Sequence, residues 1–122
     1  MKAEPNENTR YPTAGIIIIG NEILSGKVED SNSPYLCKEL RFLGVDVKRL
    51  VTIPDEINVI GNHVFEYSQD YTWVFTTGGV GPTHDDVTKK AFCKLFSDEM
   101  YLDEDYFVIL KKKFGRYTKK LI

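Results

Sequence analysis

From Ala14 to Ile19 the chain is apolar at consecutive positions, with four isoleucines in a row, and Gly20 closes the run. A β-branched run without alternation predicts a strand covered on both faces, as at the centre of a parallel sheet. Asn21 to Asn32 is polar with Gly26 at its turn, which reads as a long connection. Ser33 is placed to cap a helix that has Pro34 in its first turn and Leu36, Leu40 and Leu43 along one face. Gly44 stands where such a helix stops. Val45 to Ile53 alternates and predicts a second strand, broken by Pro54. Asp55 can then cap a helix with Ile57, Ile60 and Val64 as its apolar stripe. Tyr71 to Phe75 predicts a third strand, in which Trp73 is expected in the core. Thr88 is placed to cap a helix carrying Ala91, Phe92, Leu95 and Phe96. Asp103 can cap a last helix through Phe107 and Leu110, ending near Gly115.

Strand, helix, strand, helix, strand, loop, helix, helix predicts an α/β fold with helices on both faces of a mostly parallel sheet, a three-layer α/β/α sandwich. Three strands are few for such a sheet. Residues 1–12, polar and with Pro5 and Pro12, are expected to form a flexible leader. Residues 13–122 are expected to form one α/β domain, truncated at its C-terminus.

Composition changes this picture little. A chain of 122 residues that is 42% hydrophobic can build one core. A net charge of −2 gives no overall attraction to nucleic acid or to membrane surfaces. The charge is unevenly distributed: residues 97–105 carry acids and no bases, and residues 111–122 carry bases and no acids. Such runs read as solvated faces, and the lysines at 111–113 suit a helix end. Cys37 and Cys93 form no CxxC pair and read as buried free thiols. The longest apolar run is too short to cross a bilayer. A cytoplasmic location is expected, with a mitochondrial one left open.

The chemistry concentrates in Thr76-Thr77-Gly78-Gly79-Val80-Gly81-Pro82-Thr83-His84-Asp85-Asp86-Val87-Thr88, directly after the third strand. In open α/β sheets ligands sit beyond the carboxyl ends of the strands. Glycines there permit left-handed backbone and close approach of a ligand. Successive amides of Gly78, Gly79, Val80 and Gly81 can line an anion-binding concavity, and Thr76, Thr77 and Thr83 offer hydroxyls. Asp85 and Asp86 would repel a phosphate unless a cation lies between, an arrangement typical of magnesium. Alternatively they are first-turn acids that favour the helix dipole. Glu22 and Asp30 can hold a metal or a ribose, or simply brace a polar loop. Asp55 has capping as a sufficient role. His84 can meet a phosphate or face solvent, and His63 reads as structural.

The "TTGGVGPTHDDVT" segment resembles the signature of the molybdopterin-binding domain family, in which Thr-Thr-Gly-Gly-x-Gly precedes a fixed Asp and a Val/Leu-Thr pair. "IIIIGNEILSGKVEDSNSPYLCKEL" resembles that family's opening strand and helix entry, and "VTIPDE" its second-strand exit. The "GPTHDD" form, where molybdopterin adenylyltransferases usually carry "GPARRD" or similar, is most similar to the amino-terminal domain of FAD synthase and to the competence/damage-inducible proteins. The resemblance implies binding of FAD, a related nucleotide or molybdopterin, and hydrolysis of FAD or ADP-ribose-like dinucleotides assisted by a divalent ion and potassium. FAD synthase also has a second, adenylyltransferase domain, so FAD synthesis is not expected from this chain alone. The resemblance places Gly78, Gly79 and Gly81 on the phosphate loop and Asp86 on the fixed aspartate, the expected metal ligand. It places Gly20, Glu22, Asp30, Asn32 and Asp55 at the remaining nucleotide-binding positions. Asn21 stands where relatives often have Asp or Thr. Asp86 and Asp85 are the expected catalytic residues. A non-catalytic regulatory module that binds a flavin or pterin nucleotide, and a molybdopterin adenylyltransferase, are the alternatives. A homo-oligomer is compatible with each.

Overall fold

The computed structural model describes residues 11–97 together with 104, 105, 108 and 112. The elements run β1 (Thr13–Ile19), α1 (Asn21–Leu24), α2 (Asn32–Phe42), β2 (Asp46–Ile53), α3 (Ile57–Asp70), β3 (Trp73–Thr77) and α4 (Thr88–Leu95). Residues 1–10 of the expected leader, and most of the expected last helix with Asp103, Phe107, Leu110 and Gly115, lie outside the described residues.

The sheet is parallel, in the order β2-β1-β3. The all-apolar β1 takes the centre, where both faces are covered and every residue from Ala14 to Ile19 is buried. The chain leaves β1 in one direction to reach β2, then passes back over β1 to reach β3. Parallel crossovers share one hand, so two that run in opposite directions must use opposite faces. The packing agrees. Ile16 and Ile18 pack with Leu36, Cys37 and Leu40 of α2, while Ile17 and Ile19 pack with Ile60, Val64 and Tyr67 of α3 and Ala91 of α4. The three layers are therefore α2, sheet, and α3 with α4.

A bulge in β2 decides which of its side chains meets which layer. Ala14 pairs with Val47 but Gly15 pairs with Arg49, which leaves Lys48 as the extra residue. The parity of β2 changes there. Val47 packs on the α2 side, whereas Val51 and Ile53 pack on the α3 side. Arg49 follows them, bonding Glu66 at 2.7 Å with its guanidinium 5.1 Å from the centre of the Tyr67 ring. Gly15 is required beneath this layer, since a Cβ there would run into the rings of Tyr67 and Tyr71.

Several sequence expectations need correction. The polar connection after Gly20 contains α1, held by Leu24 N–H donating to the Gly20 carbonyl at 3.2 Å. Ser33 does not cap α2. It lies inside the helix and is buried, and the capping is done by Asp30, whose Oδ1 accepts from the Asn32 and Ser33 amides at 3.1 Å each. Asp55 makes no cap bond to α3, because its carboxylate turns toward β1. Thr88 is the first residue of α4 and its hydroxyl faces back to the preceding loop. Trp73 is not core: it opens β3 and is 51% exposed. β3 pairs only with β1 among the described residues, so its first side chain is left at the sheet margin. Cys37 and Cys93 are free and half-buried.

Candidate functional site

All three strands are parallel, so their carboxyl ends open on one edge of the domain, and the two crossovers cover opposite faces of β1. This is the switch-point geometry at which α/β sheets form a crevice. The ends carry Gly20 and Asn21 after β1, Pro54 and Asp55 after β2, and Gly78 and Gly79 after β3.

The β1 and β2 exits are stitched together. Gly20 N–H donates to the Ile53 carbonyl at 3.0 Å. Asn21 N–H donates to Asp55 Oδ2 at 2.9 Å, and Asp55 N–H donates to Asn21 Oδ1 at 3.2 Å. This reciprocal clasp fixes the Asp55 carboxylate. Its other oxygen lies 3.3 Å from where a Cβ on Gly79 would stand, so it faces the glycine loop.

The glycine loop is held by β1 and α4. Gly78 and Gly79 have φ of 97° and 65°, the left-handed region that glycine enters without a Cβ penalty. Space makes the same demand. A Cβ on Gly78 would fall on the Ile19 carbonyl oxygen, and one on Gly79 on the Thr88 hydroxyl. Thr88 locks the bend, its Oγ1 donating to the Gly78 carbonyl at 2.9 Å and its amide to the Gly79 carbonyl at 3.0 Å. Thr88 is buried, so these bonds are shielded from water. On the other wall, Asn32 Nδ2 donates to Thr77 Oγ1 at 2.7 Å and ties the start of α2 to the end of β3. Thr76 is half-buried within the sheet and pairs with Ile17.

Beyond Gly79 the loop is open. Val80, Gly81, Thr83 and Asp85 are exposed. Asp86 braces it from within: its Oδ2 accepts from the Thr83 amide at 3.0 Å and from the Thr83 hydroxyl at 2.7 Å. The Thr83 hydroxyl is the main cause that holds the Asp86 carboxyl below its ordinary pKa, helped by the Thr83 and Gly81 amides and by Lys89, with burial opposing. Asp85 lies 3.3 Å from His84 Nε2, and both side chains are well exposed.

The expected site residues thus separate. Gly20, Asp55, Gly78 and Gly79 converge at the switch point, and Asn32 and Thr77 form its flank. The Asp30 carboxylate is engaged at the start of α2, where the Ser33 hydroxyl also donates to it. Glu22 is exposed beside Gly20. Asp85 and Asp86 belong to the outer loop. Among the described residues no three His, Cys, Asp or Glu side chains group as a metal cage. Magnesium needs only one or two carboxylates when waters and phosphate oxygens complete its shell. With one Asp86 oxygen engaged by Thr83, the carboxylate could at most serve an ion that arrives with a phosphate, and not a protein-enclosed one. Sequence reasoning missed the structural parts of Asn21 and Thr88. Both sit inside the segments that drew attention, and only their partners, 34 and 10 residues away, reveal them.

An open parallel α/β layer with a glycine bend locked at its switch point has the architecture of the α/β domains in which ligands sit beyond the carboxyl ends of the strands. Residues 15–121 match the model of the family described as "Probable molybdopterin binding domain", and the chain belongs to that family. A "Probable FAD synthase" of Caenorhabditis briggsae is 44% identical over 93 residues, 76% of this chain and 18% of that protein. One of Caenorhabditis elegans is 41% identical over 108 residues, 88% of this chain and 21% of that protein. The chain thus spans about a fifth of these relatives. Among solved structures, the protein CinA from Thermoplasma acidophilum, of unknown function, superposes with a TM-score of 0.77 at 32% identity, over 88% of this chain and 63% of its own. The tungsten cofactor synthesizing protein MoaB from Pyrococcus furiosus gives 0.62 at 26% identity, over 91% and 69%. No described helix is long and apolar enough to cross a membrane.

Proposed function

We propose that this chain binds a nucleotide pyrophosphate of the FAD or ADP-ribose type at the carboxyl edge of its sheet and hydrolyses the pyrophosphate bond. The observation that carries this reading is the Gly78–Gly79 bend, held in left-handed backbone by Thr88 at the switch point. A loop fixed in advance loses little entropy when it closes on an anion. The amides from Gly78 to Gly81 grip the phosphates, while Asn32 and Thr77 limit the cleft on the α2 side. Water bonds to one phosphorus, and the bridging oxygen leaves with the other phosphate, so two monophosphates result. A divalent ion held by Asp86, with Asp85 adjacent, offsets phosphate charge when it is bound.

The fixed position of Asp86 favours a second reading. Its Oδ2 already carries both Thr83 bonds, so it serves as the brace of the loop. A module that binds the nucleotide without turnover needs no more than this. Titration calorimetry with ADP-ribose and FAD in the presence of magnesium, followed by chromatography of the products, separates the two. Binding with release of AMP, abolished by Asp86→Ala, supports hydrolysis. Binding without product supports the module. Absence of binding to any phosphate-bearing ligand, with molybdopterin among those tried, ends both.

A further inference from the structure

The outward face of α2 carries a pattern that no described part of the domain covers. Leu36, Cys37 and Leu40 pack against the sheet. At about 3.6 residues per turn, Tyr35 and Phe42 fall on one line along the opposite side. Tyr35 is 65% exposed and Phe42 88% exposed. Lys38 flanks that line on one side and Glu39 on the other, and both are exposed. Among the described residues neither has an ion-pair partner. Between Lys38, Glu39, Arg41 and Phe42 the surface forms a shallow recess. One short helix face thus presents two rings, a cation, an anion and a concavity.

We propose that this face pairs with the same face of a second copy of the chain, the two α2 helices lying side by side and parallel about a twofold axis. The charges select both the occupant and its direction. A twofold axis along the helices sets each Lys38 beside the Glu39 of the second copy, on both flanks. An antiparallel pair would set Lys38 against Lys38 and Glu39 against Glu39, which repels. Across the axis Tyr35 meets Tyr35 of the second copy, and Phe42 meets its counterpart. A helical side chain leans toward the N-terminus, so each Phe42 ring lies over the turn that forms the recess of the other copy. Both rings are thereby removed from water without any change inside the domain. Asn32 begins α2 and bonds Thr77 at the carboxyl edge of the sheet, so both clefts open on the same side of the pair. The pairing does not depend on what the clefts bind. One helix face from each copy gives an interface below about 1,200 Å², so the dimer is weak and depends on concentration.

The test is sedimentation equilibrium of the full chain at concentrations up to about 1 mM. It compares the parent, Phe42→Ser, Lys38→Glu, Glu39→Lys, the Lys38→Glu/Glu39→Lys double variant, and an equimolar mixture of the two single charge variants. These side chains are all exposed, so the substitutions leave the core untouched. The parent should show a monomer–dimer equilibrium. Phe42→Ser should weaken it at least about tenfold, the share of one buried ring. Each single charge reversal should weaken it about tenfold, since two attractive pairs become two repulsive ones. The double variant should recover the parent dimer. The mixture should recover it as a heterodimer, because a copy with two acids there faces a copy with two lysines. A parent that stays monomeric throughout overturns the proposal. So does a dimer indifferent to Phe42→Ser or to the single reversals, as does failure of the double variant or the mixture to recover. A larger assembly in place of the dimer overturns it as well.

Discussion

Replacing Gly78 by alanine brings two separate costs, and the structure offers a control for one of them. The φ of Gly78 is 97° and that of Gly26 is 80°, so alanine at either position pays the left-handed penalty of roughly 1–2 kcal/mol. Both substitutions also stiffen the unfolded chain, which returns about 0.4–1 kcal/mol. The surroundings differ. Nothing lies within 4 Å of a Cβ built on Gly26, whereas one built on Gly78 falls on the main-chain oxygen of Ile19. That oxygen belongs to the central strand and cannot swing aside, so relief requires backbone movement, at about 1–3 kcal/mol. Gly26→Ala is therefore expected to cost about 1 kcal/mol and Gly78→Ala about 2–4 kcal/mol. Urea unfolding followed by circular dichroism measures both. With a slope of about 1–3 kcal/mol per molar, the midpoint of Gly78→Ala should fall below that of Gly26→Ala by roughly 1 M. Equal midpoints would show that the close approach of the glycine bend to β1 does not constrain the loop, and the locked cleft would lose its basis.

Thr88→Val preserves shape and burial but removes the hydroxyl that donates to the Gly78 carbonyl. It should lower stability by about 1–2 kcal/mol, with Thr88→Ser recovering most of it in the same urea experiment; no difference between valine and serine would mean that the bond does not hold the loop. The folded-state pKa of Asp86 is depressed below 3.8, so its contribution to stability is complete above that value and is lost as pH falls through the lower folded pKa. Asp86→Asn should remove this part of the acid dependence. Parallel melting curves for parent and variant from pH 5 down to pH 2 would contradict the Thr83 brace.

The isoleucine run fixed β1 as a strand buried on both faces, because only a central parallel strand can shield consecutive β-branched residues from water. Gly44 and the apolar stripes placed α2, α3 and α4, and the glycine segment located the candidate cleft before any coordinates. Those signals are local: period, breakers and left-handed demand are written within a few neighbouring residues. Other features could not be read that way. The bulge at Lys48 reverses the parity of β2 and appears only when β2 is set against β1. Asp55 looked like a helix cap and is instead clasped to Asn21, and Thr88 looked like a cap and instead pins Gly78. A carboxylate or hydroxyl takes whichever donor or acceptor the fold brings within 3 Å or so, and a competing partner distant in sequence outweighs the local one once the strands align. The sequence by itself therefore determined the layers and the place of the glycine bend at the end of β3. The tertiary structure decided which polar side chains brace that bend and the strand exits beside it, because those pairings depend on strand register and crossover faces that no short segment encodes.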